Sequence, residues 1–257
     1  MDKFLTFEQP LNEKMRAFLR VEHLIKHAKH ALNQETLWDT RSGINAFLDI
    51  IELMERIDLR HETSKELERL QTLFQHWQTN ASVDPERIEA VLEQLEQQSQ
   101  TVQSMPSKLD HTLRQHTFLN QIRRRTTIPG GCCSFDIPAY HFWLHKPFES
   151  RQQDIHDFLV TINPLCDAIH FILSIVRQSA KPTSETASNG YYQKHFHSTV
   201  TPQLVQVHIS QSLPYYPEIS GSKHCINLRF LAQPETLSKP ANQAEDDVQF
   251  YLSCCGL

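Results

Sequence analysis

Apolar residues recur at every third or fourth position through the first two-thirds of the chain, a spacing that predicts amphipathic helices. The first two predicted helices run from residue 11 to about 32 and from 42 to about 59. A third begins at a cap, either Thr63 or Ser64. A fourth runs from Asp84-Pro85 to Pro106, and a fifth from about 107 into the arginines at 123–125. A short β segment at Thr6-Phe7 is expected before the first helix. The third helix has the clearest apolar stripe, formed by Leu67, Leu70, Phe74 and Trp77.

After residue 200 the pattern changes to strict alternation, which is typical of strands with one buried face. The segments that alternate in this way are Val205–Ile209, Ile226–Phe230 and Val248–Leu252. Before them, Pro164 is expected to divide two helices, 151–162 and 164–178, and the Ser/Thr-rich residues 181–190 are expected to form a flexible loop.

The predicted fold class is α+β, mostly helical in the N-terminal and central part with a C-terminal antiparallel sheet region. We expect a helical domain over residues 10–180 and a β-strand domain over 181–257, which residues 4–8 can join.

Residues 123–146 combine three arginines, a Pro-Gly-Gly turn, two adjacent cysteines and an aromatic segment with histidines. Pro129 restricts φ and the glycines permit positive φ, so the chain reverses after the arginines. Asp136 is expected to cap a helix that has Pro138 in its first turn and that Pro147 ends. Such a helix would bury Tyr140, Trp143 and Leu144 together. This pattern predicts a basic surface held by rigid turns.

Other interpretations of these residues remain open. His141 and His145 are four apart on one helix face and could hold zinc, but no third ligand has a convincing spacing, so the pair can equally be two surface histidines. Cys133 beside a histidine could form the thiol–imidazole pair of a cysteine hydrolase. Cations at the end of a helix also interact favourably with its dipole, although one cation would suffice for that effect.

Charge is distributed unevenly along the chain, whose formal net charge is −5. Residues 1–110 carry 13 Lys+Arg against 19 Asp+Glu, a net of −6, whereas residues 111–230 carry 11 against 7, a net of +4. A basic middle in an acidic protein favours a local anionic partner over a nucleic acid.

The cysteines and the N-terminus indicate a cytoplasmic protein. The six cysteines include two adjacent pairs and no Cys-x-x-Cys, which is typical of reduced thiols. The first residues lack a signal peptide's apolar core, and the most apolar run, near Ala168–Val176, is too short to span a bilayer. No phosphate-binding glycine loop or G-x-S-x-G motif occurs, and no cofactor or metal is predicted.

Several stretches resemble the ZapD family of bacterial cell-division proteins. They are Ile128-Pro-Gly-Gly-Cys-Cys-Ser-Phe-Asp-Ile-Pro with the following His141 and Trp143-Leu-His145, Phe7-Glu8 with Pro10-Leu-Asn-Glu-Lys-Met-Arg16 and Leu19-Arg20, Asn163-Pro-Leu165 with Arg177-Gln-Ser-Ala180, and Tyr216-Pro-Glu-Ile-Ser-Gly221 with Arg229-Phe230. Along the chain these stretches occur in the same order as in the family. The resemblance is weaker over residues 26 to about 119.

The resemblance implies a cytoplasmic, non-enzymatic homodimer at the division site that binds the C-terminal tail of the tubulin-like protein FtsZ and bundles FtsZ filaments. The partner-binding residues expected from the resemblance and the basic stretch are Arg16, Arg20, Arg123, Arg125, Lys223, Arg229 and His141, with Trp143 either a contributor or part of the core. The helices over 42–103 are a candidate dimer interface, although their apolar stripes can also build one chain's own bundle. The alternative function is a peptide-binding adaptor for another acidic partner.

Overall fold

The computed structural model describes residues 3–78, 84–106, 116–196, 201–234 and 240–257. The helices within these ranges are α1 (Glu13–Leu32), α2 (Leu37–Arg56), α3 (Leu59–Gln78), α4 (Pro85–Ser104), α5 (Thr117–Thr126), α6 (Pro138–Leu144) and α7 (Phe148–Gln178). The strands are β1 (Phe4–Pro10), β2 (Thr183–Ala187), β3 (Tyr191–His195), β4 (Leu204–Ser210), β5 (Tyr215–Gly221), β6 (Cys225–Ala232), β7 (Asn242–Gln243) and β8 (Val248–Cys255). The predicted α+β class is confirmed.

The strands form two antiparallel sheets, where the alternating pattern predicted one. The first sheet has the order β1-β4-β8-β2, and the second has the order β3-β6-β5 with β7 beside β6. The three predicted strands are confirmed as β4, β6 and β8. The loop predicted over 181–190 is wrong, because residues 183–187 pair with β8 along their whole length.

Helix boundaries agree with the predictions where a cap marks them. Asp84 accepts the Glu86 N–H at 3.2 Å and begins α4 as expected. In contrast, α2 begins five residues earlier than predicted, after the N-cap Thr36. The cap predicted at Thr63 or Ser64 is wrong, because α3 begins at Leu59 and both residues lie inside it. The part of the fifth helix predicted over 107–115 lies outside the described residues.

Pro164 does not divide two helices, so that prediction is wrong. Helix α7 continues through it for 31 residues. Ile162 and Leu165 on either side of the proline are buried, and the packing of this apolar face offsets the one hydrogen bond that proline cannot donate. By length and composition α7 could cross a membrane, a test that core helices also pass, and half of its most apolar window is buried in the protein.

The chain divides into two compact units. The helical unit is Ala17–Ile172, and the sheet unit combines Met1–Arg16 with Leu173–Leu257. The boundaries fall within α1 and α7.

In the sheet unit, the buried faces of the two sheets share one apolar core. Phe230 of β6 contacts Phe250 of β8 with ring centroids 5.0 Å apart. Strand β1 pairs with β4 over seven residues, and Glu8 on β1 accepts two hydrogen bonds, of 2.8 and 2.7 Å, from the Arg177 guanidinium. This half-buried bidentate pair links residues 169 positions apart and gives the Phe7-Glu8 and Arg177 motifs a structural role.

In the helical unit, α3 packs against α4, and Leu67 and Leu70 of the α3 stripe are completely buried. Phe74 and Trp77, in the second half of the stripe, are only partly buried and contact each other edge to face. Arg151 near the start of α7 is 4% exposed and donates to Thr40 Oγ1, to the Glu35 carbonyl at 3.0 Å and to the Lys146 carbonyl at 3.2 Å. This arginine therefore ties the start of α2 to the turn that follows α6.

Candidate functional site

The loop that joins α5 to α6 in the helical unit is a series of tight turns. The Ile128 N–H donates to the Arg125 carbonyl at 3.0 Å, the Gly131 N–H to the Ile128 carbonyl at 2.8 Å, and the Cys133 N–H to the Gly130 carbonyl at 3.2 Å. Gly130 has a φ of 72°, in the left-handed region that glycine adopts without strain. The predicted sharp reversal after the arginines is confirmed.

Gly131 is required for a close approach of the loop to the end of α5. A Cβ at this position would overlap the Arg125 carbonyl oxygen and lie 2.9 Å from Ile128 Cβ. Backbone atoms cannot move aside as a flexible side chain can. Only glycine therefore lets the loop pack directly on the helix end.

Helix α6 is held by its aromatic side chains. Tyr140, Trp143 and Leu144 are buried together, as predicted, and Phe118 of α5 contacts both aromatic rings. Trp143 Nε1 donates to Asp154 Oδ2 at 2.7 Å, so Trp143 belongs to the core and not to the exposed surface.

The cap predicted at Asp136 is wrong. The N-cap of α6 is Ile137, which makes no side-chain cap hydrogen bond, and Pro138 begins the helix. Proline has no N–H to satisfy in the first turn, which lessens the need for a capping side chain. The Asp136 carboxylate instead forms an ion pair with Arg125 at 3.7 Å.

The three arginines at the end of α5 differ in their surroundings. Arg123 forms an ion pair with Glu55 of α2, and Arg125 pairs with Asp136. Arg124 is exposed and has no acidic partner among the residues that the structure describes. At the end of α5, Arg124 is therefore an exposed cation, and the arginines on either side of it form ion pairs with acids of the same unit.

A cleft of about 560 Å³ opens beside this loop. One wall is the start of α2, with Trp38, Arg41, Ser42 and Asn45, and the other is the loop from Thr126 to Cys133 together with Tyr140. The residues that line the cleft include one cation and no carboxylate. The cleft is therefore positively charged, with aromatic and backbone walls.

Large apolar side chains are unusually exposed around the same loop. Trp38 is 77% exposed, Ile128 46%, Phe135 81% and Phe142 73%. Single exposed apolar residues are common on protein surfaces, but a group of them beside arginines is typical of a protein-binding surface.

The histidines and cysteines show no arrangement for catalysis or metal binding in the described part of the chain. The His141 and His145 rings lie 4.4 Å apart, and His145 Nδ1 donates to the His141 carbonyl at 2.8 Å. No group of three or more potential metal ligands occurs among the described residues. Burial raises the pKa of the Cys132 thiol, which disfavours the reactive thiolate. No hydrogen bond between the Cys133 thiol and either histidine is found in the described ranges.

Four of the predicted partner-binding residues lie in the helical unit. Arg123 and Arg125 lie in the last turn of α5, just before the tight loop. His141 is exposed on α6, and Arg20 is exposed on α1.

The other three belong to the sheet unit. Arg16 Nε donates to the Glu13 carboxylate at 3.2 Å. Lys223 is exposed in the turn between β5 and β6. Arg229 is exposed on β6, where the strand register places it opposite Glu218.

Sequence reasoning did not find Trp38 and Arg41, because the predicted α2 began only at Ser42. The signal was present in Thr36 and Asp39. Thr36 Oγ1 accepts the Asp39 N–H at 3.1 Å, the arrangement of an N-cap with an acid three residues later.

Comparison with known proteins identifies the class of protein to which this fold and surface belong. The ZapD family, described as a cell division protein, matches residues 19–229. Proteins named "Cell division protein ZapD" are similar over nearly their whole length: 35% identical in Methylococcus capsulatus over 99% of both chains, 33% in an Azoarcus species over 98% of this chain and 100% of the relative, and 35% in Escherichia coli over 99% and 100%.

The chain is therefore a cell-division protein, and it belongs to the ZapD family. The predicted resemblance is confirmed. The family is named for cell division and not for an enzymatic activity.

We predict that Gly131→Ala lowers the free energy of unfolding by about 1–3 kcal/mol, because the new Cβ must displace the Arg125 carbonyl. Gly130→Asn is the matched control. Its Cβ would enter open space, and asparagine tolerates positive φ, so we expect a loss of less than about 1 kcal/mol. Urea denaturation measures both, and equal losses would contradict the close approach.

Proposed function

We propose that this protein binds the C-terminal tail of FtsZ and cross-links FtsZ filaments in the cytoplasm at the division site. The proposal rests on one observation in the helical unit, the cluster of arginines and exposed apolar side chains around a rigid loop. Membership of the ZapD family supports it.

The chemistry of the cluster suits the tail that the family resemblance implies, a short peptide that mixes carboxylates with apolar residues. Exposed cations attract such a peptide during diffusion and disfavour positively charged peptides. Apolar side chains that are already exposed, such as Phe135 and Phe142, can anchor it without rearrangement.

The partners of Arg123 and Arg125 do not prevent this role. The two arginine side chains are 33% and 48% exposed, so both pairs reach the surface, where a peptide carboxylate can compete with Glu55 or Asp136. Arg16, Arg20, Lys223, Arg229 and His141 remain proposed partner-binding residues.

The test of the proposed function is co-sedimentation with FtsZ filaments. We expect the protein to pellet with full-length FtsZ and to remain in the supernatant with FtsZ that lacks its C-terminal tail. Raising the salt concentration should weaken the interaction, because charges are screened over roughly 8–10 Å at ordinary ionic strength. Equal pelleting with both forms of FtsZ would contradict tail binding, and no pelleting with either would contradict the proposed function.

We predict that Arg123→Glu combined with Arg125→Glu abolishes co-sedimentation, since two acids would then face an acidic tail. The fold should survive, because both side chains are at least one-third exposed, and circular dichroism checks this. Arg87→Glu, on the exposed N-terminal turn of α4, is the matched charge-reversal control and should pellet normally. A folded double variant that still pellets would refute this site.

Cross-linking requires two tail-binding sites in one particle, and we propose that a two-fold homodimer supplies them. The complete burial of Leu67 and Leu70 in their own unit leaves Phe74 and Trp77 as the part of the α3 stripe available to a second copy. Light scattering at micromolar concentration should give a mass near twice 29.9 kDa. A monomer that still bundles filaments would contradict the dimer.

A further inference from the structure

Arg41 occupies an unusual position in the cleft. Its guanidinium carbon lies 5.3 Å from the centroid of the Trp38 ring and 5.5 Å from that of the Tyr140 ring. One terminal nitrogen donates to the Cys132 carbonyl at a long 3.4 Å. The two rings and this contact hold the guanidinium plane in place before any ligand arrives.

No acidic side chain forms an ion pair with Arg41 among the described residues. Arg123 and Arg125 each have a carboxylate partner, whereas none pairs with Arg41 in the described ranges, and no lining residue of the cleft is acidic. A guanidinium has five N–H donors, and the Cys132 carbonyl accepts from one of them. Arg41 thus retains donors for an anion in a cleft that supplies no anion of its own.

We propose that Arg41 is a carboxylate-binding residue that receives an acidic side chain or the terminal carboxylate of the partner peptide, while a neighbouring apolar side chain of that peptide packs on Trp38 and Ile128. This inference rests on the proposed function and deepens it. It adds to the α5 arginines a second point of recognition on the same unit, inside the cleft.

The surroundings of Arg41 favour a peptide carboxylate over a phosphate-rich ligand. A single cation lines the cleft, which suits one carboxylate, whereas a phosphate-rich ligand requires several cations. The exposed Trp38 ring and Ile128 provide apolar surface that a polyanion would leave unused.

The walls of the cleft are fixed from both sides, which lowers the ordering cost of binding. Gly131 holds the loop against α5, and the buried Arg151 fixes the start of α2 through Thr40 and the Glu35 carbonyl. Arg41 lies one residue after Thr40.

A double-mutant cycle between the protein and the FtsZ tail peptide tests this inference by calorimetry. Arg41→Ala should weaken binding of the unmodified peptide roughly 10- to 100-fold, the range for a lost charge-assisted hydrogen bond. The peptide is then varied by replacing each Asp or Glu with its amide and, separately, by amidating its C-terminus. One of these peptides should bind the wild-type protein weakly and show little further loss with Arg41→Ala.

Two further variants separate recognition from structure. Arg41→Lys keeps the charge but loses the planar fork, so we expect an intermediate loss. Arg87→Ala should bind like the wild type. Because the peptide changes leave the protein intact, coupling between Arg41 and one carboxylate cannot arise from a disturbed fold.

The outcomes distinguish this inference from the proposed function. Coupling to one side-chain carboxylate or to the terminal carboxylate supports the inference and identifies which of the two Arg41 receives. The inference is overturned if the wild-type protein binds the tail but Arg41→Ala binds it with the same affinity. It is also overturned if the affinity losses from Arg41→Ala and from each peptide change simply add. Either result leaves the proposed function standing. A wild-type protein that does not bind the tail overturns both.

Discussion

The close approach of Gly131 to the Arg125 carbonyl, in the last turn of α5, determines the shape of the candidate site. Because no side chain separates them, the loop turns directly on the helix end and carries Cys132 and Cys133 to the wall of the cleft. The Cys132 carbonyl in turn meets Arg41, whose guanidinium lies beside the Tyr140 ring. A larger residue at position 131 would displace this whole set of contacts at once.

Charge near the loop is arranged in two different ways. The pairs of Arg123 with Glu55 and of Arg125 with Asp136 keep two cations in defined positions while leaving them at the surface, where an incoming carboxylate can compete. Arg41 instead is held by aromatic rings and not by an acid. Surface cations such as Arg123 and Arg125 favour fast, salt-sensitive association with an anionic peptide. A cation held in one orientation, such as Arg41, favours selectivity among such peptides.

Sequence reasoning succeeded where one local signal and the tertiary structure agree. Alternation identified β4, β6 and β8, and Asp84 marked the start of α4. It failed where packing outweighs local preference, as at Pro164, and where a strand contains residues typical of loops. Thus β2 is Ser/Thr-rich yet pairs with β8, and β5 tolerates Pro217 because it lies at the edge of its sheet. Trp38 and Arg41 were missed because their role depends on the loop facing them, which periodicity along α2 does not reveal.

The sheet unit combines two segments that are far apart in the chain, and this affects how the protein folds during synthesis. The helical unit is one continuous stretch and can form as soon as residue 172 has emerged. Strand β1 is made first, but its neighbour β4 lies some two hundred residues later, and β8, the next strand of that sheet, ends only at Cys255. Until β4 has been synthesised, β1 therefore lacks the strand with which it pairs, and an unpaired strand is prone to aggregation.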